Sequence, residues 1–215
     1  LKEETGGLQT HLPALSDGID NNPENLQLNL FNSTQDSTLR GCTNTLKLWT
    51  GKSTASIVFD STVDELTDDF IFQVVRGKPN MAIIATTREG DVFGGYYTVA
   101  VTAQQVAFYD PDMFIFSFES HGRCMTPQRF VVKEGLKDQA RVTFWKFDSN
   151  GFVSFWVRGS FQEFALGNEK SNSHCYNMSK LFDGIQDTTL TGKNGPYWGD
   201  EYHHCTRIVA VRLSH

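Results

Sequence analysis

Two short stretches of the chain bring imidazole and thiol groups together: His174-Cys175 and His203-His204-Cys205. Two imidazoles and two thiolates suffice for a tetrahedral zinc ion. Their spacing fits no compact zinc motif, however, and neighbours such as His203 and His204 point to opposite faces of a strand. We therefore expect no metal and no other cofactor. The cysteines should be buried, and the histidines exposed or hydrogen-bonded. His174, Cys175, His203 and Cys205 remain the candidates to follow into the fold. His121 and Cys124 lie in one loop, too close along the chain for a thiol–imidazole pair, and no third group to orient the ring is evident. Asp64, Glu65, Asp68 and Asp69 crowd one predicted helix. Glycosidase chemistry needs two carboxyls ~5 to 9 Å apart across a cleft, so these four read as a solvated acidic face able to meet a basic partner. No G-x-S-x-G occurs. No catalytic residue is assigned, and the chain reads as a non-enzyme.

Two further groups concern binding. Phe93-Gly94-Gly95-Tyr96 places paired glycines in a predicted strand. A phosphate cradle would need a strand running into a helix N-terminus, so the expectation is a bulge or a close approach of neighbouring backbone. Of the four tryptophans, Trp145 and Trp156 alternate with apolar neighbours and read as core. Trp198, between Pro196-Tyr197 and Gly199, sits in a loop, which makes Tyr197 and Trp198 the candidate partner contact.

The net charge is −6, with no run of Lys or Arg. Nucleic acid and anionic membrane surfaces both require clustered positive charge, so neither is expected as a partner. No apolar stretch approaches the ~20 residues of a membrane span. Leu1-Lys2-Glu3-Glu4 lacks the basic stub and apolar core of a secretion signal. Four cysteines in 215 residues, without CxxC, read as reduced thiols in a cytoplasmic protein. Asn32-Ser33-Thr34 and Asn177-Met178-Ser179 would matter as sequons only after secretion.

Residues 1–45 are rich in Asn, Ser, Thr, Asp and Gly. They read as a polar tail or linker able to drape on a compact domain spanning 46–215. Within the domain, Thr62 and Glu65 form a predicted capping box ahead of an apolar stripe of Val63, Leu66, Phe70 and Val74. Gly77 and Pro79 end that helix. Afterwards the hydrophobic period switches to two. Arg88-Glu89-Gly90-Asp91 and Asp148-Ser149-Asn150-Gly151 mark hairpin turns, and Ser179–Phe182 is a candidate short helix. Nine or ten strands with one good helix predict a strand-rich α+β fold, a two-sheet antiparallel β-sandwich flanked by one or two helices.

The order of several segments resembles the TLDc family. Gly90-Asp91-Val92-Phe93-Gly94-Gly95-Tyr96 is similar to the family's "G-x-V-F-G-G-Y" strand. Asp110-Pro111-Asp112-Met113-Phe114-Ile115-Phe116-Ser117 is similar to its "D-P-x-x-F-x-F-S" element. Gly159-Ser160-Phe161-Gln162-Glu163-Phe164 looks like a glycine-marked strand of the family, and Leu190-Thr191-Gly192 like its "L-T-G" before the last strand. That last strand departs from the family's "E-V-E-V-F", reading Val209-Ala210-Val211-Arg212 instead. The resemblance implies a non-catalytic protein-interaction module, linked to oxidative-stress resistance and to binding of the vacuolar proton-pumping ATPase (V-ATPase) on the cytosolic face of acidic organelles. It transfers no active-site residue. The alternatives are an extracellular carbohydrate-binding β-sandwich held by disulfides, and a metal-dependent hydrolase using the His/Cys clusters.

Overall fold

A computed structural model describes residues 36–145, 154–158, 164–166, 173–195 and 202–215. The elements run α1 (Ser37–Thr50), β1 (Thr54–Asp60), α2 (Asp68–Val75), β2 (Met81–Thr87), β3 (Val92–Tyr97), β4 (Phe108–Tyr109), β5 (Phe114–Glu119) and β6 (Gln128–Val131). A 3-10 helix (Glu134–Gln139) follows, then β7 (Arg141–Trp145), β8 (Ser154–Arg158), β9 (Phe164–Leu166), β10 (His174–Cys175), α3 (Met178–Leu181) and β11 (Cys205–Ser214). The strands form a six-stranded sheet, β1-β11-β2-β3-β5-β6, and a five-stranded sheet, β10-β9-β8-β7-β4. Every pairing is antiparallel. This is the strand-rich α+β sandwich expected from the sequence.

The main core lies between the sheets. Ile83, Ala85, Phe93, Ile115, Ile208 and Ala210 from the larger sheet join Val142, Phe144, Leu166 and Cys175 from the smaller one. A second apolar layer lies on the outer face of the larger sheet, where Ile84, Val209 and Val211 meet Leu39, Cys42 and Leu46 of α1. The central strands are thus covered on both faces, which is why β3 is buried at every position and reads as an unbroken apolar run.

Helix α1 runs through the expected boundary at 45/46. Its apolar side chains, Leu39, Cys42 and Leu46, do have helical spacing, but the Ser, Thr and Asn between them carry the composition of a linker. The hydroxyls of Thr43, Thr45 and Thr50 donate back to the carbonyls of Arg40, Gly41 and Leu46 at 3.0, 3.0 and 2.8 Å, so these polar residues are satisfied without leaving the helix. The ends are well defined. Asp36 Oδ1 accepts from Leu39 N–H at 3.0 Å, and Gly51 takes the left-handed cap at φ 69°.

The second helix starts later than predicted. Asp60 Oδ1 accepts from the Thr62 N–H at 3.1 Å and its hydroxyl at 2.9 Å, while Asp64 Oδ2 accepts from the Asp60 N–H at 2.8 Å. These bonds hold residues 60–64 as a turn. The cap is Thr67, whose hydroxyl accepts from Phe70 N–H at 3.2 Å. The buried face shifts accordingly to Ile71, Phe72 and Val75, leaving Val63 60% and Phe70 39% exposed. Asp64 and Glu65 therefore belong to the turn region, and Asp68 and Asp69 to the first turn of α2, rather than to one helical face.

The β2–β3 hairpin closes through Gly90 at φ 97°. Strands β7 and β8 pair with Val142 opposite Val157, while the expected turn Asp148–Gly151 lies outside the described residues. The two-residue strands β4 and β10 close the edges of the smaller sheet. They are too short for a period of two to register in sequence.

Candidate functional site

The glycine pair sits in the middle of the larger sheet. Gly94 pairs with Ile84 on β2 and Phe116 on β5. A Cβ at Gly94 would overlap the Ile83 carbonyl oxygen and come within 2.8 Å of Phe116 Cζ. The sheet is packed at this point to a distance only glycine permits. Phe93 and Tyr96, on either side, are buried in opposite cores. Phe93, Gly94, Gly95 and Tyr96 are therefore framework residues and line no phosphate site.

The His/Cys candidates come together in the interior. Ser173 and His203 form a β-bridge, and Ser173 Oγ lies 3.4 Å from Cys205 Sγ. His174, Cys175, His203 and Cys205 are all 2% exposed or less, so of the two expectations for the histidines, exposed or hydrogen-bonded, exposure does not hold for His174 and His203. Among the described residues no group of three or more His, Cys, Asp or Glu side chains is arranged to hold a metal ion. Burial also disarms the thiols, since thiolate is the reactive form. Burial, with Asp36 nearby, pushes Cys42 up to about 12, and burial likewise raises Cys175. All four cysteines are free.

His203 packs edge-on to Phe93, ring centroids 5.2 Å apart, and neither of its ring nitrogens has a hydrogen-bond partner among the described residues. Burial, then the neighbouring His174, Lys193 and His204, lowers its pKa from 6.5 to about 3. In the unfolded chain His203 takes up a proton as pH falls through its ordinary value, whereas the folded protein refuses it until about 3. Folding stability therefore declines with falling pH across that window, by up to about 1.4 kcal/mol per pH unit. His203→Phe keeps the aromatic packing and removes this dependence. In urea unfolding at pH 7, 6 and 5, the stability of the variant relative to the parent is expected to rise as pH falls. A difference that stays constant with pH would refute a buried neutral imidazole.

Two polar clusters were not legible from spacing. Asp91, 2% exposed, accepts from His121 Nδ1 at 2.8 Å and from the Arg123 guanidinium. Arg123 also donates to the carbonyls of Thr189 at 3.0 Å and Leu190 at 3.1 Å. This clip joins the β2–β3 turn, the β5–β6 loop and the Leu190-Thr191-Gly192 segment. It supplies the carboxylate that orients His121, while Cys124 N–H donates instead to Ser120 Oγ at 2.7 Å.

The second cluster centres on Arg207 of β11. Its Nε and Nη2 bind the Asp60 carboxylate at 3.0 and 2.6 Å, and its Nη1 binds Asp36 Oδ2 at 2.6 Å. Burial opposes ionisation of Asp60 and Asp36, but the hydrogen bonds from Arg207 and nearby backbone amides outweigh it and hold both carboxyls below their ordinary value. The cluster borders a cavity of about 590 Å³ beside the N-terminus of α1, floored by Ile84, Val92 and Val209.

Asp110 is fully buried and accepts from Thr98 N–H at 2.6 Å, Thr98 Oγ1 at 2.7 Å and Asp112 N–H at 3.3 Å. It fastens the long β3–β5 connection over the core. Tyr197 and Trp198, the candidate partner contact, lie outside the described residues, as does Gly159–Glu163.

With both sheets and these clusters placed, the chain is defined as a strand-rich α+β sandwich whose described His/Cys cluster is interior. No known protein-family model matches it, and no curated protein matches it. No helix among the described residues is long and apolar enough to cross a membrane.

Proposed function

We propose that the protein is a non-catalytic interaction module of the TLDc type, acting on the cytosolic face of acidic organelles by binding the proton-pumping V-ATPase, with a link to oxidative-stress resistance. The observation that carries the reading is where the resembling segments fall. The glycine strand is the sheet's close-packed centre, Asp110 fastens the core, and Leu190-Thr191-Gly192 is the landing point of the Arg123 clip. These three segments are framework, as expected of a family united by fold and not by an active site. Burial of His174, Cys175, His203 and Cys205 adds support, because groups that would serve as nucleophile, base or ligand are withdrawn from substrate.

The test is affinity purification of the full chain from its native cells with mild crosslinking and mass spectrometry. Pump subunits are expected to be enriched, and replacing Tyr197 and Trp198 by Ala is expected to reduce their recovery. Equal recovery with both baits would keep the pump and dismiss the loop. Absence of pump subunits from both would overturn the assignment.

A further inference from the structure

The outer side of α1 differs in charge from the rest of the molecule. From Ser37 to Phe59 there is no Asp or Glu, but there are Arg40, Lys47 and Lys52, in a protein of net charge −6. Near the C-terminal turn of the helix, Leu48 is 84% exposed, although Leu39 and Leu46 of the same helix are buried. Asn44, Lys47, Leu48, Gly51, Lys52 and Ser53 line an open recess of about 590 Å³. Lys52 Nζ lies 3.1 Å from His215 Nε2, and neither Lys47 nor Lys52 forms an ion pair with a described residue. An exposed leucine alone is unremarkable. Flanked by two unneutralised ammonium groups on an acid-free surface, it presents the complement of an acidic, leucine-bearing segment.

This chain carries such a segment. Residues 1–35 contain five acids, Glu3, Glu4, Asp17, Asp20 and Glu24, against one Lys, and Leu26, Leu28 and Leu30 alternate in their last third. The lengths agree. Leu48 lies twelve residues beyond Asp36, a span of ~18 Å along a helix. Leu30 lies six residues before Asp36 and can reach back ~20 Å when extended. Leu26, Leu28 or Leu30 can thus come to Leu48, with Glu24 and Asp20 further along at the two lysines.

We propose that residues 17–30 dock in cis along the exposed face of α1, with a leucine of the Leu26–Leu30 stretch on Leu48 and the carboxylates of Asp20 and Glu24 at Lys47 and Lys52. The inference is independent of the V-ATPase reading, since it concerns contacts within a single chain. At an exposed site the attraction is screened by salt over about 10 Å at 0.1 M. The docking is therefore strongest in dilute buffer.

Zero-length carbodiimide crosslinking of the full chain, followed by digestion and mass spectrometry, tests it. In low salt, the monomer is expected to give a crosslink from Lys47 or Lys52 to Asp20 or Glu24. Leu48→Asp leaves both lysines in place and alters a side chain outside the core. It is expected to lower the yield about five-fold or more, as follows from losing a partly covered apolar anchor beside which a new negative charge repels the segment. Crosslinks confined to a dimer band would overturn the cis arrangement and assign the surface to a second copy. No crosslink to residues 1–35 in low salt, or a yield indifferent to Leu48→Asp with circular dichroism unchanged, would overturn the proposal.

Discussion

Gly94→Ala is expected to destabilise the protein by about 3 kcal/mol or more, at or beyond the upper end of ordinary overpacking. The added methyl meets the Ile83 carbonyl oxygen and carbon, the latter at 3.0 Å, as well as the Phe116 ring. A ring can turn aside. The Ile83 carbonyl belongs to the β2 backbone, which is hydrogen-bonded between β3 and β11, so it can yield only by parting the centre of the sheet. Gly41→Ala is the matched control. Gly41 lies on the exposed side of α1, with nothing within 4 Å of an added Cβ, and alanine there should stabilise by about 0.5–1 kcal/mol through helix propensity. Urea unfolding of both variants gives the comparison. A loss below about 1 kcal/mol for Gly94→Ala would mean that the strands can spread and that the glycine is not set by packing.

Arg207→Gln is expected to cost about 2–3 kcal/mol at pH 7, because Asp60 and Asp36 lose a shared, partly buried partner. The cost depends on pH in a defined direction. Both carboxyls have folded pKa values below their ordinary 3.8. The stability they gain from Arg207 is complete above that value and is lost as pH falls through the lower, folded values. The deficit of the variant should therefore be full at pH 7 and 5 and shrink below about pH 4. A deficit unchanged between pH 7 and 3 would show that Arg207 acts through packing of its stem and not through the two carboxylates.

Strands were legible in the sequence where burial imposes a simple pattern. All but one of the residues of β2 and every residue of β3 are buried, so both stand out as apolar runs on either side of the Arg88–Asp91 turn. Helix α1 was hidden because only Leu39, Cys42 and Leu46 face the sheet, and the polar residues between them satisfy themselves through backbone carbonyls. The start of α2 was displaced because Thr62 and Thr67 both head acceptable caps. A tertiary contact chose between them: Asp60, held by Arg207 from 147 residues away, fixes the turn at Thr62. The close approach at Gly94 was readable as a glycine inside an apolar strand. The Asp91–His121–Arg123 clip was not, since its members are 30 and 32 residues apart and belong to separate loops. Local periodicity carries no information about which loops converge at one end of a sandwich.

The place of β11 bears on the order in which the molecule can be made. Strand β11 lies second in the larger sheet, between β1 and β2. These two strands, early in the chain, are joined only through it. During synthesis, β2, β3, β5 and β6 can pair as they emerge, but β1 must wait, with α2 attached to it by a short turn, until residues 205–214 clear the ribosome. In that interval one edge of β2 is unpaired and apolar, a surface that recruits strands from other chains. Closure of the sheet thus waits on residues 205–214, far downstream of β2, and a nascent chain halted before Cys205 would carry an open edge in the middle of the larger sheet.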